Sequence, residues 1–235
     1  MLRQLLYLWL GISIALLTGC SNCDAKKPLT IATAASLAGA FKAISDEYTK
    51  QTGTKVSLVI ASSGKLSQQI IEGAPYDIFA SANLLYTEQL VDANEAIENT
   101  QVVYAQGRLA MWVKSGTAPA NLSDLLKDQF EHVAIANPKH APYGFAAKEA
   151  LEAKHLWSKL AGKLVRGSNV RQAMQFAESG NAEVALIAHS LAMRGGGSYT
   201  LVEQSLHKSL DQVIIVLSRT KKKDEALKFI KFFAV

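Results

Sequence analysis

Two short stretches carry the residues that could do chemistry. Ala34-Ala35-Ser36-Leu37 and Ala61-Ser62-Ser63-Gly64 each lead from an apolar run, through small residues, into a helix-like pattern. A helix start presents backbone N–H groups without intrahelical acceptors, together with the positive end of the peptide dipole. A serine hydroxyl adds a donor there, and alanine or glycine neighbours let an anion approach the backbone closely. Taken singly, each serine is better explained as the N-cap of its own helix. Their repetition at two consecutive strand-to-helix turns makes a shared anion pocket the competing explanation. A nucleotide phosphate site is excluded. The motif G-x-x-x-x-G-K-[ST] around Gly64-Lys65 would require glycine at Val59 and Ser or Thr at Leu66.

Other chemistry finds little support. No G-x-S-x-G occurs, and His132, His140, His155, His189 and His207 form no H-x-x-x-H or H-E-x-x-H pair. Spacing therefore supports neither a hydrolase triad nor a bare metal cation, and no catalytic residue is assigned. His132 and His140 flank a strand and its following loop, where a histidine reads as a surface or capping residue. Asp77, ahead of Ile78-Phe79-Ala80, reads as a structural hydrogen-bonding carboxylate.

The elements that must position the serines follow from periodicity. Leu29–Thr33 and Val56–Ile60 read as strands, and Asp77–Ala80 as a short buried one. Leu37, Phe41, Ile44 and Tyr48 form one stripe of a helix that Gly53 closes, and a second helix runs through Leu66 and Ile70 to Gly73. This βαβαβ order favours a parallel sheet, with both serine turns at the carboxyl ends of strands, where such sheets bind ligands. Further on, Arg108–Val113, Val133–Ala136, Glu183–Ile187 and Val213–Leu217 read as strands. Gly144–His155, Asn169–Ser179 and Glu225–Phe233 read as helices. No linker separates the two sections, which fits two lobes joined by crossing strands around a cleft.

Composition sets the class. The chain has 235 residues, 49% hydrophobic and 19% charged, with a formal charge of +5. That is ordinary globular composition. The run Lys221-Lys222-Lys223 reads as a solvated helix face, and without interleaved aromatics it does not suggest nucleic-acid binding. Arg3, the apolar stretch Leu5–Leu17 and then Leu17-Thr18-Gly19-Cys20 have the form of an export signal, too short for a spanning helix. The tetrapeptide resembles a bacterial lipobox, which implies a lipid anchor on Cys20. Cys20 and Cys23, the only cysteines, lack the context for redox or zinc chemistry.

The segments ATAASLAGAFKAIS, VIASSGKLSQQIIEGAPYDIFASAN, AIANPKHAPYGFAAKEAL and GSNVRQAMQFAESGNAEVALIA resemble the molybdate-binding component of bacterial ABC importers, among the type II periplasmic binding proteins. The resemblance runs in order from Leu29 to the end. It implies an α/β, two-lobed fold, each lobe a mixed, mainly parallel sheet flanked by helices, with a ligand cleft between lobes. The expected divisions are 1–19 signal peptide, 20–28 tether, 29–106 with 207–235 as lobe I, and 107–206 as lobe II. The chain stops at Val235, earlier than the resemblance leads one to expect.

The resemblance also implies a ligand set. Ser36 and Ser63 match serines that give hydroxyl and backbone donors, while Tyr143 and Val170 match backbone N–H donors of the second lobe. Where better-known members offer a tyrosine hydroxyl, this chain has Ala188, followed by His189 and Ser190. A backbone N–H, His189 or water could take that contact. The implied protein is a monomer that catalyses no reaction, needs no cofactor, captures molybdate or tungstate, and delivers it to an ABC permease. Molybdate and tungstate, fully deprotonated dianions, only accept hydrogen bonds, and every carried-over contact is a donor. The alternatives are the same fold with sulfate, phosphate or an organic anion, an exported serine hydrolase, or a scaffold lipoprotein with a degenerate cleft.

Overall fold

The computed structural model describes residues 27–233. The leader, Cys20 and most of the 20–28 tether lie outside them. The chain first lays down β1 (Leu29–Ala34), α1 (Ala38–Thr52), β2 (Val56–Ala61), α2 (Ser63–Ile71), β3 (Ile78–Ser81), α3 (Leu84–Asp92) and β4 (Val102–Gly107). It then builds β5 (Leu109–Val113), β6 (Val133–Ala136), α4 (Pro142–Ala153), β7 (Leu164–Gly167), α5 (Val170–Glu178), β8 (Val184–Ala188), α6 (His189–Ala192) and β9 (Ser198–Leu201). Finally β10 (Leu210–Val216) and α7 (Lys223–Phe233) return to the first part.

Two five-stranded sheets result, in the orders β2-β1-β3-β10-β4 and β7-β6-β8-β5-β9. The layers around the first form lobe I, and those around the second form lobe II. In lobe I, β1 pairs parallel with β2 and β3, and β10 pairs antiparallel with β3 and β4. In lobe II, β6 pairs parallel with β7 and β8, and β5 pairs antiparallel with β8 and β9. The sheets are therefore evenly mixed. The returning strand makes the difference in lobe I, because β10 runs against its neighbours after the long excursion through lobe II.

The start of the first expected helix moves, and further elements appear. The helix after the first serine turn starts at Ala38, with Leu37 as its N-cap, so Ser36 lies ahead of the helix rather than in it. The cause is a tight turn closed by the Leu37 N–H on the Ala34 carbonyl at 2.8 Å. Strands β4 and β7 and helix α3 complete the lobes where periodicity had assigned nothing. β4 alternates half-buried and exposed residues over its first four positions, as an edge strand does.

Burial explains why the strands read as apolar runs. Ile78, Phe79, Ala80, Val133–Ala136 and Val184–Ala188 are all 0% exposed, covered by helices on both faces. Lobe I is closed by rings meeting edge to face: Phe41 on Phe233 at 5.6 Å, Tyr48 on Phe229 at 5.1 Å and Tyr104 on Phe233 at 5.3 Å between centroids. Asp77 has the structural role expected of it. Its carboxylate accepts from Thr30 N at 2.8 Å, Thr220 Oγ1 at 2.6 Å and Lys222 Nζ at 3.0 Å. Lys222 thus leaves the solvated face assigned to the lysine run and ties α7 to the sheet. Among the described residues no helix is long and apolar enough to cross a membrane.

Candidate functional site

The two serine turns end neighbouring strands, since Ala34 of β1 pairs with Ala61 of β2. The small side chains that follow leave a space where lobe II approaches. There, a small, narrow cavity is lined by Ser36, Ser62, Ser63 and Ala82 of lobe I and by Ala141, Tyr143, Asn169 and Val170 of lobe II, among others. Four of the expected residues, Ser36, Ser63, Tyr143 and Val170, meet in this one space. None of its lining residues is charged. All four are buried: Ser36 is 6% exposed, Ser63 0%, Tyr143 3% and Val170 4%.

Their backbone donors are available for a local reason. Ser63 and Val170 are the first residues of α2 and α5, and Tyr143 is the second of α4, positions whose N–H groups have no intrahelical acceptor. Among the described residues, no protein acceptor meets the N–H of Ser36, Ser63, Tyr143 or Val170. Three helix starts and one tight turn therefore aim unpaired donors at a neutral cavity. Such a site suits an anion that can only accept hydrogen bonds, and it avoids the cost of burying a lysine or arginine.

Neither serine caps its own helix. The Ser36 hydroxyl is buried without a partner. That of Ser63 accepts from the Ala82 N–H at 3.0 Å, which leaves its own proton free to be donated. The N-cap of α2 is Ser62, which makes no side-chain cap. Its hydroxyl pairs instead with His140 Nδ1 at 2.8 Å, across to lobe II. Asn169 caps α5 by accepting from Gln172 N at 3.0 Å, and so frames the Val170 donor. Burial raises the Tyr143 phenol, which stays protonated at neutral pH.

Ala188 and His189 do not line the cavity. Ala188 ends β8, pairs with Leu109 and is 0% exposed. The His189 N–H donates to the Arg108 carbonyl at 2.9 Å, and its ring lies 4.9 Å from that of Tyr199. Its Nε2 is buried without a partner. The next residue reaches the site's edge: Ser190 Oγ donates to the Ser36 carbonyl at 3.4 Å. Among the described residues no group of His, Cys, Asp or Glu could hold a metal ion.

Two residues at this site were not singled out by their sequence context, Ser62 and His140. Ser62 differs from Ser63 only in direction, and His140 sits 78 positions away. Gly64 also acquires a different role. A Cβ on it would meet Tyr86 Oη at 2.6 Å and the His140 carbonyl oxygen at 2.7 Å, so glycine makes room for a lobe contact and not for a ligand.

Several known proteins are similar to this chain. The family model for bacterial extracellular solute-binding proteins matches residues 29–234. The molybdate-binding protein ModA of Rhodobacter capsulatus is 36% identical over 92% of this chain and 86% of its own length. The putative ABC transporter substrate-binding lipoprotein YvgL of Bacillus subtilis is 27% identical over 92% of this chain and 87% of its own. Among solved structures, the periplasmic molybdate-binding protein of Azotobacter vinelandii superposes with a TM-score of 0.81 and 28% identity, covering 87% of this chain and 91% of that one. Matched by the family model across nearly all of its described length, the chain belongs to the bacterial extracellular solute-binding protein family.

Proposed function

We propose that this protein captures molybdate, and also tungstate, in the cavity between its lobes, and hands it to an ABC permease. The observation that carries the reading is the donor set. Hydroxyls of Ser36 and Ser63 and backbone N–H groups of Ser36, Ser63, Tyr143 and Val170 converge from both lobes on a space with no charged lining residue. Phosphate keeps a proton at neutral pH and would gain from a carboxylate acceptor, which this lining lacks. The relatives named for molybdate binding support the choice of ligand. In the same reading the chain is exported, held to a membrane through lipid on Cys20, and works as a monomer that binds and releases its ligand unchanged.

Sulfate is the second reading. It is favoured by Ala188, which stands where the resemblance implies a tyrosine hydroxyl and contributes no side-chain donor to the cavity. Sulfate is also an acceptor-only dianion, so discrimination rests on cavity size. Thermal unfolding of the purified protein with each oxyanion tests both readings. At about 100 times its Kd, a ligand adds roughly 2.7 kcal/mol to stability. Molybdate and tungstate are expected to raise the melting temperature, with sulfate and phosphate inert. A shift with sulfate alone would move the assignment to the second reading.

A further inference from the structure

The contact between Ser62 and His140 is separate from the donor set, yet adjoins it on both sides. Ser62 precedes the donor Ser63, and His140 lies three residues before the donor Tyr143. His140 stands in the loop from β6 to α4, which is shaped by the Lys139 N–H on Asn137 Oδ1 at 3.0 Å and the Ala141 N–H on the Asn137 carbonyl at 3.0 Å. From there it meets lobe I twice. Its Nδ1 pairs with Ser62 Oγ at 2.8 Å, and its carbonyl accepts the Gly64 N–H at 2.9 Å. The second bond uses a free donor of the α2 helix start, and the absent side chain of Gly64 admits the carbonyl beside Tyr86. One residue of lobe II is thus held by side chain and backbone at the start of the helix that presents Ser63.

We propose that His140 is a positioning residue that latches the two lobes together and sets how long the anion is retained. The inference rests on the binding function proposed above, because a latch matters only if something is enclosed. Opening the lobes must break both bonds, and closing them brings the Ser63 and Tyr143 donors to one point. Ligand residence and the latch therefore share one motion. A change at His140 or Ser62 acts on dissociation, since neither side chain belongs to the donor set and association occurs from the open form.

The latch has a pH sense. Burial, and then the positive charge of Lys65 on α2, hold the His140 pKa below its ordinary value in the closed arrangement. Tyr86 on α3 also adjoins this contact, and burial raises its phenol, so it stays neutral. Exposure on opening returns His140 toward the ordinary pKa of about 6.5. Closure is therefore undisturbed above that pH, and is weakened as pH falls through it, because protons bind the open form more readily.

The test is stopped-flow dissociation of molybdate from the full chain and from His140→Ala, His140→Gln, Ser62→Ala and the double variant S62A/H140A, each with its ligand-free melting curve. Loss of one net hydrogen bond predicts dissociation about 3- to 10-fold faster in each alanine variant, with association and ligand-free melting unchanged. The double variant should be no faster than either single one, since both remove the same bond. The wild-type protein should release molybdate faster at about pH 5.5 than at about pH 7.5, and H140Q should lose that dependence. Wild-type rates in the single variants, or effects that add in the double, overturn the latch. Absence of saturable molybdate binding by the wild type overturns the binding function itself, and is read separately.

Discussion

The two serine turns look alike in sequence and differ in how the fold supports them. Both end adjacent parallel strands, both place a buried serine beside the same cavity, and both offer a hydroxyl and a backbone N–H. Ser36 has no protein partner for its hydroxyl and stands ahead of its helix, in a turn closed by the backbone alone. Ser63 is the first residue of its helix, and its hydroxyl oxygen is held by the Ala82 N–H from the loop after β3. Its proton is therefore aimed by the fold, whereas that of Ser36 is free to rotate. The lesson is that one motif can supply a preorganised donor and an adaptable one, and that only the second leaves its hydroxyl without any protein partner.

Removing both hydroxyls should have the largest effect. In S36A/S63A, hydrogen bonds to a dianion worth about 1.5–3 kcal/mol each are lost, so calorimetry should show affinity for molybdate falling at least about a hundredfold. Ser63→Ala comes next and should act twice. Affinity should drop about 10- to 100-fold, and ligand-free stability in urea should fall by about 1–3 kcal/mol, because the Ala82 N–H is left buried without an acceptor. Ser36→Ala should cost about 10-fold in affinity and nothing in stability, since no protein partner is abandoned. Equal stability losses in the two single variants would break the contrast. An unchanged titration with Ser63→Ala would return that serine to a purely structural role.

The turns were legible because each interrupts a strongly apolar strand with small residues just where helical periodicity begins. The burial of β1, β3, β6 and β8 was legible for the same reason, as continuous runs. Whether Ser36 and Ser63 cap their helices was not, because N-capping and ligand binding use the same residue type at the same place. The Ala82 N–H and the Leu37–Ala34 turn decide it, and both are tertiary or local geometric facts. Helix α3 was missed although Tyr86 and Leu90 are spaced for one buried face. The His140 contact left no trace in the sequence, since a lone histidine in a loop has no period and its partner is remote. The evenly mixed sheets follow from β10 in lobe I and β5 in lobe II each running against both neighbours, which local pattern does not encode.

Placed at its carboxyl-end turns, an anion would draw on both lobes at once, with Ser36 and Ser63 from one and Tyr143 and Val170 from the other. Isothermal titration of the wild-type protein with molybdate, beside S36A/S63A at matched concentration, tests this most directly. The account predicts one saturable site per chain in the wild type, and binding weakened at least about a hundredfold in the double variant with the fold retained. Equal molybdate affinity in the two proteins would contradict it.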